Sequence, residues 1–398
     1  MKQLVVLALA LAACGTDTNT ERYGFITLLG KDTVAVEAVA RRGDAIQSDA
    51  VDRWPFVRQR HTEIVLAPDG SIRHFDMVIQ TPNAPAPKDR QRHIMADITP
   101  DSAIVDSKDG NGTKRFAWPL AGALALPHVP QSYALAERYI AAAMLRGRRL
   151  KLAPGDSIPL RQFYPDFDKA NFPLHEGWVH PLEGGKVEIW HDWLSGLGDA
   201  VVDSTLHLQS YSGARSTYKV QMVRIPTLPD VEASAATMLK AEQATGASQL
   251  SVRDTARGTI GAATFSVDYG RPLQRGRVLL GNIIRYDQVW RTGANAATQF
   301  TTSAPITLLG VPLAAGTYTL WTVPRASGKV ELIINRETGQ WGTNYDEAHD
   351  VAMKPLVVDS APAPVEKFTI GVTSSDAHHG ALVMTWGTFR WTAPIVVK

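Results

Sequence analysis

Five arginines in one short stretch are the side chains of this chain that are best suited to chemistry. The stretch runs from Tyr269 to Asn295 and contains a single acid, Asp287, with four glycines and one proline. Glycine and proline disfavour a regular strand, so we expect a shaped connection that presents cations from tight turns. Arginines placed this way can form bidentate hydrogen bonds to a carboxylate, phosphate or sulfate. They are Arg271, Arg275, Arg277, Arg285 and Arg291.

The predicted ligand site combines part of this cluster with a loop further along the chain, and Trp290 would form one wall. We predict no catalytic residue, because no nucleophile or acid–base pair accompanies the arginines in the sequence. A second interpretation is that the arginines bond internally to Asp287, Asp346 or Asp350 and to loop carbonyls, bracing long connections. The site would bind an anionic or carbohydrate-like ligand, and its residues are Arg271, Arg277, Trp290, Arg291, Asn295, Trp341, Tyr345 and Asp346.

Two other strings resemble catalytic motifs but have unsuitable spacing. His175 and His180 are five residues apart, whereas metal-binding histidines on one helical face are four apart, so we predict a surface loop and no metal there. Ser216 and Lys219 match a Ser-x-x-Lys string, which needs the serine at the start of a helix. The segment Thr217–Ile225 instead alternates like a strand, which would place the two side chains on opposite faces.

The only cysteine, Cys14, lies in the context of a bacterial lipoprotein signal. A lysine precedes an apolar run from Leu4 to Leu11, and Leu11-Ala12-Ala13-Cys14 resembles a lipobox. The resemblance implies removal of residues 1–13 and acylation of Cys14, with residues 14–22 as a tether. Several acyl chains give a stable anchor at about 0.8 kcal/mol per buried methylene. We expect a lipid-anchored cell-envelope protein with the membrane as a partner, and Gly15 favours the outer membrane.

Composition limits the remaining possibilities. The chain has 398 residues, of which 44% are hydrophobic and 20% charged, and this is enough for two domains with sizeable cores. The formal net charge is only +2, and no basic stripe or tail is visible, so nucleic acid is not an expected partner. No cofactor-binding pattern is evident, and we expect no cofactor.

The first half of the chain has the pattern of an antiparallel β domain over residues 23–225. Runs of alternating apolar and polar residues are separated by turn signals such as Gly30-Lys31-Asp32. One helix is predicted at about 132–146, with Gln131-Ser132 as its cap and Gly147 as its end. A sheet with one helix against it could wrap around that helix or leave a groove, so a lipid carrier is an alternative function.

The second half predicts a separate β domain. Residues 226–249 are expected to form a linker that includes an Ala-rich, helix-like run from Val231 to Thr245. From residue 250 to 398, seven or eight short strands with regular turn signals predict a β-sandwich or jelly roll. The fold class is therefore mainly β in both halves.

Several spaced motifs follow one another in this half. The first is Tyr269-Gly270-Arg271-Pro272, and the strongest string is Val289-Trp290-Arg291-Thr292-Gly293-Ala294-Asn295. Further motifs are Leu313 to Tyr318 and the run from Asn335 to Asp346. Together they resemble the bacterial family called domain of unknown function 2911. The family is typically found on secreted or lipid-anchored proteins, and the resemblance implies no activity. Members usually carry an acid just after the Ala-Asn pair, where this chain has Ala296. If that acid is a catalytic base in the family, this chain lacks it; if it pairs with a neighbouring arginine, the pairing is lost or rerouted here.

Two further interpretations follow from individual side chains. A hydrolase acting on envelope material could use Asp346, His349 or Asp350, close to the Trp341–Tyr345 loop. The chain also has ten tryptophans, and some of them, such as Trp190 and Trp193, could line a groove that stacks on sugars. Core packing is the commoner role of tryptophan in proteins.

Overall fold

The computed structural model describes residues 19–53, 56–153, 155–164, 174–191, 196–216, 219–245 and 251–397. The predicted mainly β fold, with a helix against an N-terminal sheet and a C-terminal pair of sheets, is confirmed. The predicted signal, Cys14 and Trp193 lie outside the described residues. Among the residues described, no helix combines the length and apolar character needed to cross a membrane.

Fifteen strands of the described N-terminal half form one sheet, in which all neighbouring strands are antiparallel except the ninth and tenth, which run parallel. The strands are β1 Glu21–Leu29, β2 Asp32–Arg42, β3 Ala45–Arg53, β4 Val57–Leu66, β5 Ile72–Gln80, β6 Gln91–Ile98, β7 Ser102–Asp109, β8 Gly112–Pro119, β9 Ala125–Pro127, β10 Ile158–Phe163, β11 His175–Pro181, β12 Lys186–His191, β13 Gly196–Val202, β14 Leu208–Arg215 and β15 Gln221–Ile225. Their order in the sheet is β8-β7-β6-β5-β4-β3-β2-β1-β15-β14-β13-β12-β11-β10-β9.

This sheet curls around the helix α1, Tyr133–Arg149. Trp118 of β8 contacts Phe163 of β10 with ring centroids 5.7 Å apart, although the two strands are near opposite ends of the sheet. Leu135, Tyr139 and Ile140 are all buried, so more than one side of the helix faces the core. A helix that is enclosed by a sheet buries most of its circumference, and the small alanines allow the strands to approach.

The start of α1 is capped differently from the prediction. The Ser132 side chain makes no capping hydrogen bond to the helix backbone. Instead, the Glu37 carboxylate of β2 accepts the backbone N–H groups of Tyr133 (2.6 Å) and Ala134 (3.1 Å). A carboxylate at the positive end of a helix is favoured by both hydrogen bonding and the helix dipole. Burial raises the pKa of Glu37, while the Arg60 charge and these hydrogen bonds oppose the shift.

The helix also passes the predicted stop at Gly147 and continues to Arg149. A Cβ atom at Gly147 would lie 2.7 Å from Cδ1 of Ile158, at the start of β10. Gly147 therefore permits close packing between helix and strand, and its role is not to end the helix.

The predicted linker contains a second helix, α2, with the expected bounds Val231–Thr245. Ala235 and Met238 of α2 form a small buried cluster with Val36 and Val51 of the sheet. Val36 precedes Glu37 in β2, and consecutive strand residues point to opposite faces, so α2 covers the face opposite to α1. Residues 231–245 thus pack as part of the N-terminal layer structure.

The C-terminal half forms two facing sheets around one core. Its strands are β16 Ser251–Ile260, β17 Ala263–Pro272, β18 Thr298–Thr302, β19 Ile306–Leu308, β20 Val311–Leu313, β21 Gly316–Pro324, β22 Val330–Asn335, β23 Asp350–Pro355, β24 Val357–Ser374 and β25 His379–Val397. The sheet orders are β16-β17-β18-β21-β22-β23 and β20-β19-β25-β24. Buried aromatic and aliphatic residues from both sheets, including Phe300, Phe368 and Trp386, fill the space between them.

Candidate functional site

The arginine-rich stretch begins in β17 and continues as an irregular connection to β18. Four of its non-glycine residues have left-handed backbone conformations: Arg275, Asp287, Thr292 and Asn295, with φ between 50° and 63°. Such conformations are costly outside glycine and are kept only where the surroundings enforce them. The prediction of a shaped, turn-rich connection is therefore consistent with the backbone.

The family string around Trp290 mainly packs the domain. The Trp290 ring stacks on Trp386 with centroids 6.1 Å apart and contacts Phe368 at 5.2 Å. Trp290 was expected to form a wall of the ligand site, but it packs against the sandwich core. A Cβ atom at Gly270 would overlap the Ala294 carbonyl oxygen, so this glycine is required for close contact between the strand and the string.

Two of the arginines are held by internal partners. Arg271 forms an ion pair with Asp254 (2.7 Å) and also donates to the Phe368 carbonyl and the Thr369 hydroxyl. Arg275 pairs with Asp32 of β2, and its carbonyl accepts the Lys31 backbone N–H at 3.2 Å. Arg271 therefore braces the C-terminal domain, and Arg275 joins the two domains. The bracing interpretation applies to these two arginines.

Four other cations form a cluster at the contact between the domains. We call Lys219, Arg277, Arg285 and Arg291 the four-cation cluster. The carbonyl oxygen of Ala214 accepts from both Lys219 Nζ (2.7 Å) and Arg285 Nη2 (3.3 Å). Because one oxygen accepts from both side chains, a cation of the N-terminal domain is held beside a cation of the C-terminal domain.

The other two members of the cluster also bond only to backbone carbonyls. Arg277 donates to the carbonyls of Leu273 (2.6 Å) and Gln274 (3.0 Å). Arg291 donates to the Asn295 carbonyl at 3.2 Å. Across the parts of the chain that the structure describes, no carboxylate forms an ion pair with any of the four cations. The residue after Asn295 is Ala296, where the family usually has an acid, so this position supplies no carboxylate to the cluster.

The environment of the cluster disfavours its positive charges. Burial, followed by the charges of Arg285, Arg291 and Arg277, lowers the pKa of Lys219 to about 8. Burial and then the Arg275 charge lower the pKa of Arg277 to about 10, with Glu366 and Asp32 acting in the opposite direction. Burial alone lowers the pKa of Arg291. The cluster therefore carries positive charge that the protein itself leaves largely uncompensated.

Sequence reasoning did not find Lys219 or Arg285 as site residues. Lys219 was considered only as part of the Ser-x-x-Lys string on a predicted strand from Thr217. The strand β15 begins at Gln221, so Lys219 precedes it and reaches the cluster from a loop. Local periodicity cannot show that a lysine in one domain meets arginines of another.

The predicted site residues Trp341, Tyr345 and Asp346 differ in their surroundings. The first is exposed, and the other two form hydrogen bonds within their own loop. Trp341 is 52% exposed, and the next residue, Gly342, donates its N–H to the Asn295 carbonyl at 3.1 Å. Tyr345 donates to Asp350 at 2.5 Å, and Asp346 accepts the Ala348 N–H. Trp341 and Asn295 thus lie beside Arg291, whereas Tyr345 and Asp346 stabilise their own loop.

Both carboxylates considered for hydrolysis, Asp346 and Asp350, are engaged in the same loop, while the third group, His349, is exposed. Asp350 accepts from both Tyr345 and Asn335, and burial followed by the Asp350 contact raises the pKa of Tyr345. The His175–His180 string, predicted as a surface loop, is strand β11. The described residues hold no group of three side chains that could ligate a metal. No observation here favours a hydrolase.

The space between α1 and the sheet is small. Its cavity has a volume of about 30 Å³ and is lined by residues that include Gln131, Tyr139 and Tyr211. A buried water needs roughly 10–15 Å³, so the cavity holds a few waters at most and cannot enclose a lipid chain. A larger trough of about 480 Å³ lies elsewhere, on the outer face of the β16–β18 strands, and does not include the cluster.

Comparison with known proteins identifies one region of the chain. Residues 251–395 match the family described as Protein of unknown function (DUF2911). The resemblance seen in the sequence motifs is confirmed, and the DUF2911 region contains Arg277, Arg285 and Arg291. Lys219 lies outside it.

Other comparisons add little. No curated protein matches the chain. One solved structure, a DUF1089 family protein from Pseudomonas aeruginosa, is similar at 16% identity. That match covers 47% of this chain and 93% of the other, with a TM-score of 0.34.

Proposed function

We propose that this chain is a lipid-anchored cell-envelope protein that binds an anionic ligand at the four-cation cluster. The observation that carries the proposal is the pair Lys219 and Arg285, which share one carbonyl acceptor and have no carboxylate partner among the residues that the structure describes. Partly buried like charges repel, and the repulsion is reduced when an anion lies between them. The protein is then a binding module, and no catalytic residue is proposed.

The cluster favours a small, multiply charged oxyanion group on the ligand. Guanidinium groups donate in pairs to carboxylate, sulfate or phosphate oxygens, and the lysine adds a point charge. Trp341 offers an exposed aromatic surface close to Arg291, where an attached organic group could lie. A phosphate or sulfate ester of an envelope component combines these two features.

The membrane anchor is the second part of the proposal and rests on the sequence around Cys14. Acylation at this cysteine would hold both domains at the membrane surface through the short tether. The full chain carrying Cys14→Ser should lose acyl labelling and appear in the soluble fraction. Continued membrane partition of that variant would refute the anchor without affecting the anion site.

The anion site can be tested with sulfate as the probe. Titration calorimetry of the full chain in detergent should show sulfate binding, and Arg291→Ala should weaken it by roughly tenfold, because a charge-assisted hydrogen bond is lost. Arg257→Ala is the matched control, since Arg257 is an exposed arginine of the same domain outside the cluster. Equal sulfate affinity in the Arg291→Ala and Arg257→Ala variants would exclude the proposed site.

A further inference from the structure

The outer face of the N-terminal sheet carries an ordered row of apolar side chains. Pro159 of β10 pairs with Trp178 of β11, Trp178 pairs with Trp190 of β12, and Trp190 pairs with Leu197 of β13. Their strand neighbours Val179 and Ile189 point inward to the core around α1. The row therefore lies on the opposite, outer face, because side chains alternate along a strand.

The two tryptophans of this row have parallel rings. The centroids of Trp178 and Trp190 are 6.4 Å apart, and the ring planes differ by 12°. Both side chains are half-buried, and Pro159 beside them is exposed. Tryptophans of this chain were expected mostly in the core, as Trp321, Trp386 and Trp391 are. A stacked, half-buried pair on an outer face instead leaves part of its aromatic surface open to a ligand.

A row of polar side chains runs directly beside the apolar row. His180 pairs with Glu188, Glu188 with Asp199, and Asp199 with Ser212. Arg215 donates to Glu188 at 2.5 Å and to Asp199, and His180 Nδ1 is 3.4 Å from the Glu188 carboxylate. These bonds fix the two carboxylates, which outnumber the one arginine that pairs with both of them.

We propose that this face binds the pyranose rings of a neutral glycan. A pyranose has an apolar face of C–H bonds, which is attracted to the negative face of an aromatic ring, and hydroxyl groups at its edge. The tryptophan pair contacts the C–H face of the sugar, while the fixed carboxylate oxygens of Glu188 and Asp199 accept hydrogen bonds from its hydroxyl groups. The excess of acid in the polar row disfavours acidic glycans.

The choice of a glycan over a protein partner follows from the pairing of the two rows. Preformed acceptors beside a parallel aromatic pair match an amphipathic ring with hydroxyls on its rim. An extended, flat β-1,4-linked chain fits a straight row across neighbouring strands, which are about 4.8 Å apart. This site shares no side chain with the four-cation cluster and has the opposite charge preference.

The test uses cellohexaose and chitohexaose as probes for the full chain in detergent. We expect either hexasaccharide to bind by calorimetry and to change tryptophan fluorescence, with oligogalacturonate binding less tightly. Trp178→Ala should weaken binding by roughly tenfold, and Trp178→Phe should weaken it less, since a smaller ring remains. Val201→Ala is the matched control, because Val201 is an exposed apolar residue of the same face outside the row.

Three results would overturn the proposal. The first is absence of binding by both hexasaccharides at millimolar concentration. The second is unchanged affinity in Trp178→Ala, or in Trp178→Phe if the alanine variant does not fold. The third is tighter binding of oligogalacturonate than of the neutral chains. Arg291→Ala should leave hexasaccharide affinity unchanged, so this test is independent of the sulfate experiment.

Discussion

Lys219 is the member of the four-cation cluster that can change its charge near neutral pH. Burial and the three neighbouring arginines bring its pKa to about 8, whereas a free lysine titrates at about 10.4. Below pH 8 the cluster has four charges, and between pH 8 and 9 the lysine becomes neutral while Arg277, with a pKa of about 10, is still mostly charged. The proposed anion binding at this site should therefore depend on pH through this single residue.

We predict that sulfate affinity falls by roughly tenfold when the pH rises from about 7 to about 9, because one charge-assisted hydrogen bond is lost while the arginines stay mostly charged. Sulfate itself does not titrate in this range. Lys219→Arg should bind sulfate with little pH dependence, and calorimetry at several pH values measures both. A flat profile for the unmodified chain would contradict the assignment.

The same pKa shift predicts how Lys219 affects stability without an anion. The folded state holds this proton less tightly than the unfolded chain, so its contribution to stability rises between about pH 8 and pH 10.4. Lys219→Met removes this contribution. As the pH rises over this interval, the free energy of unfolding of Lys219→Met should therefore increase less than that of the unmodified chain. Denaturant titration at several pH values measures both.

Ala296 is the second informative residue, because the family usually has an acid there. We predict that Ala296→Asp supplies Arg291 with a carboxylate partner and weakens sulfate binding by roughly tenfold through competition for the guanidinium. Ala296→Ser controls for the change in size. Sulfate titration measures the effect, and equal affinities for the two variants would show that position 296 does not reach Arg291.

At the scale of elements, close backbone contact holds the arginine-rich connection in place. Gly270 of β17 lies against Ala294, and Gly293 lies against the Gly270 carbonyl. The Thr298 hydroxyl donates to the Thr292 carbonyl at 2.8 Å, which ties the connection to β18. These contacts explain why the string has small residues between Arg291 and Asn295: the backbones must touch for the two polar residues to be positioned.

We predict that Gly270→Ala lowers the free energy of unfolding by about 1–3 kcal/mol, because the added methyl overlaps a carbonyl oxygen that cannot move freely. Gly371→Ala is the matched control, since Gly371 is a strand glycine with no atom within 4 Å of the added Cβ. Denaturant titration of both variants measures the difference. Equal stabilities would mean that the connection relaxes around the methyl group.

For the whole molecule, the contact between the domains combines one attractive pair with repulsion between cations. Arg275 is 6% exposed and pairs with Asp32 of the N-terminal domain. Burial lowers the pKa of Arg53, and the nearby positive charge of Arg275 lowers it further. The nearby four-cation cluster adds like charges from both domains. An anion at the cluster would therefore strengthen the contact as well as bind to it.

We predict that Asp32→Asn lowers the free energy of unfolding by about 1–3 kcal/mol, because the buried Arg275 guanidinium loses its carboxylate. Scanning calorimetry should also show the two domains unfolding less cooperatively. Asp49→Asn is the control, since Asp49 forms an exposed pair with His61 within one domain and should change stability by less than about 0.5 kcal/mol. Similar losses in both variants would argue against Arg275 as a joint between the domains.

The sequence alone determined what depends on local pattern. Strand alternation predicted the β architecture of both halves, helix signals predicted α2 at Val231–Thr245, and spaced motifs identified the DUF2911 region. The excess of arginine over acid also located the connection that contains three of the four clustered cations. These features are readable because side-chain periodicity and turn chemistry act over a few residues.

The tertiary structure decided which polar groups meet. Glu37 caps a helix 96 residues further along the chain, Asp32 pairs with Arg275, and Lys219 shares an acceptor with Arg285. The parallel alignment of Trp178 and Trp190 likewise depends on the register of β11 and β12. Such contacts arise only when sheet curvature and domain packing bring distant segments together, and no local pattern encodes that distance. This is why the arginines could be located from the sequence, while their partners, and the lysine that completes the cluster, could not.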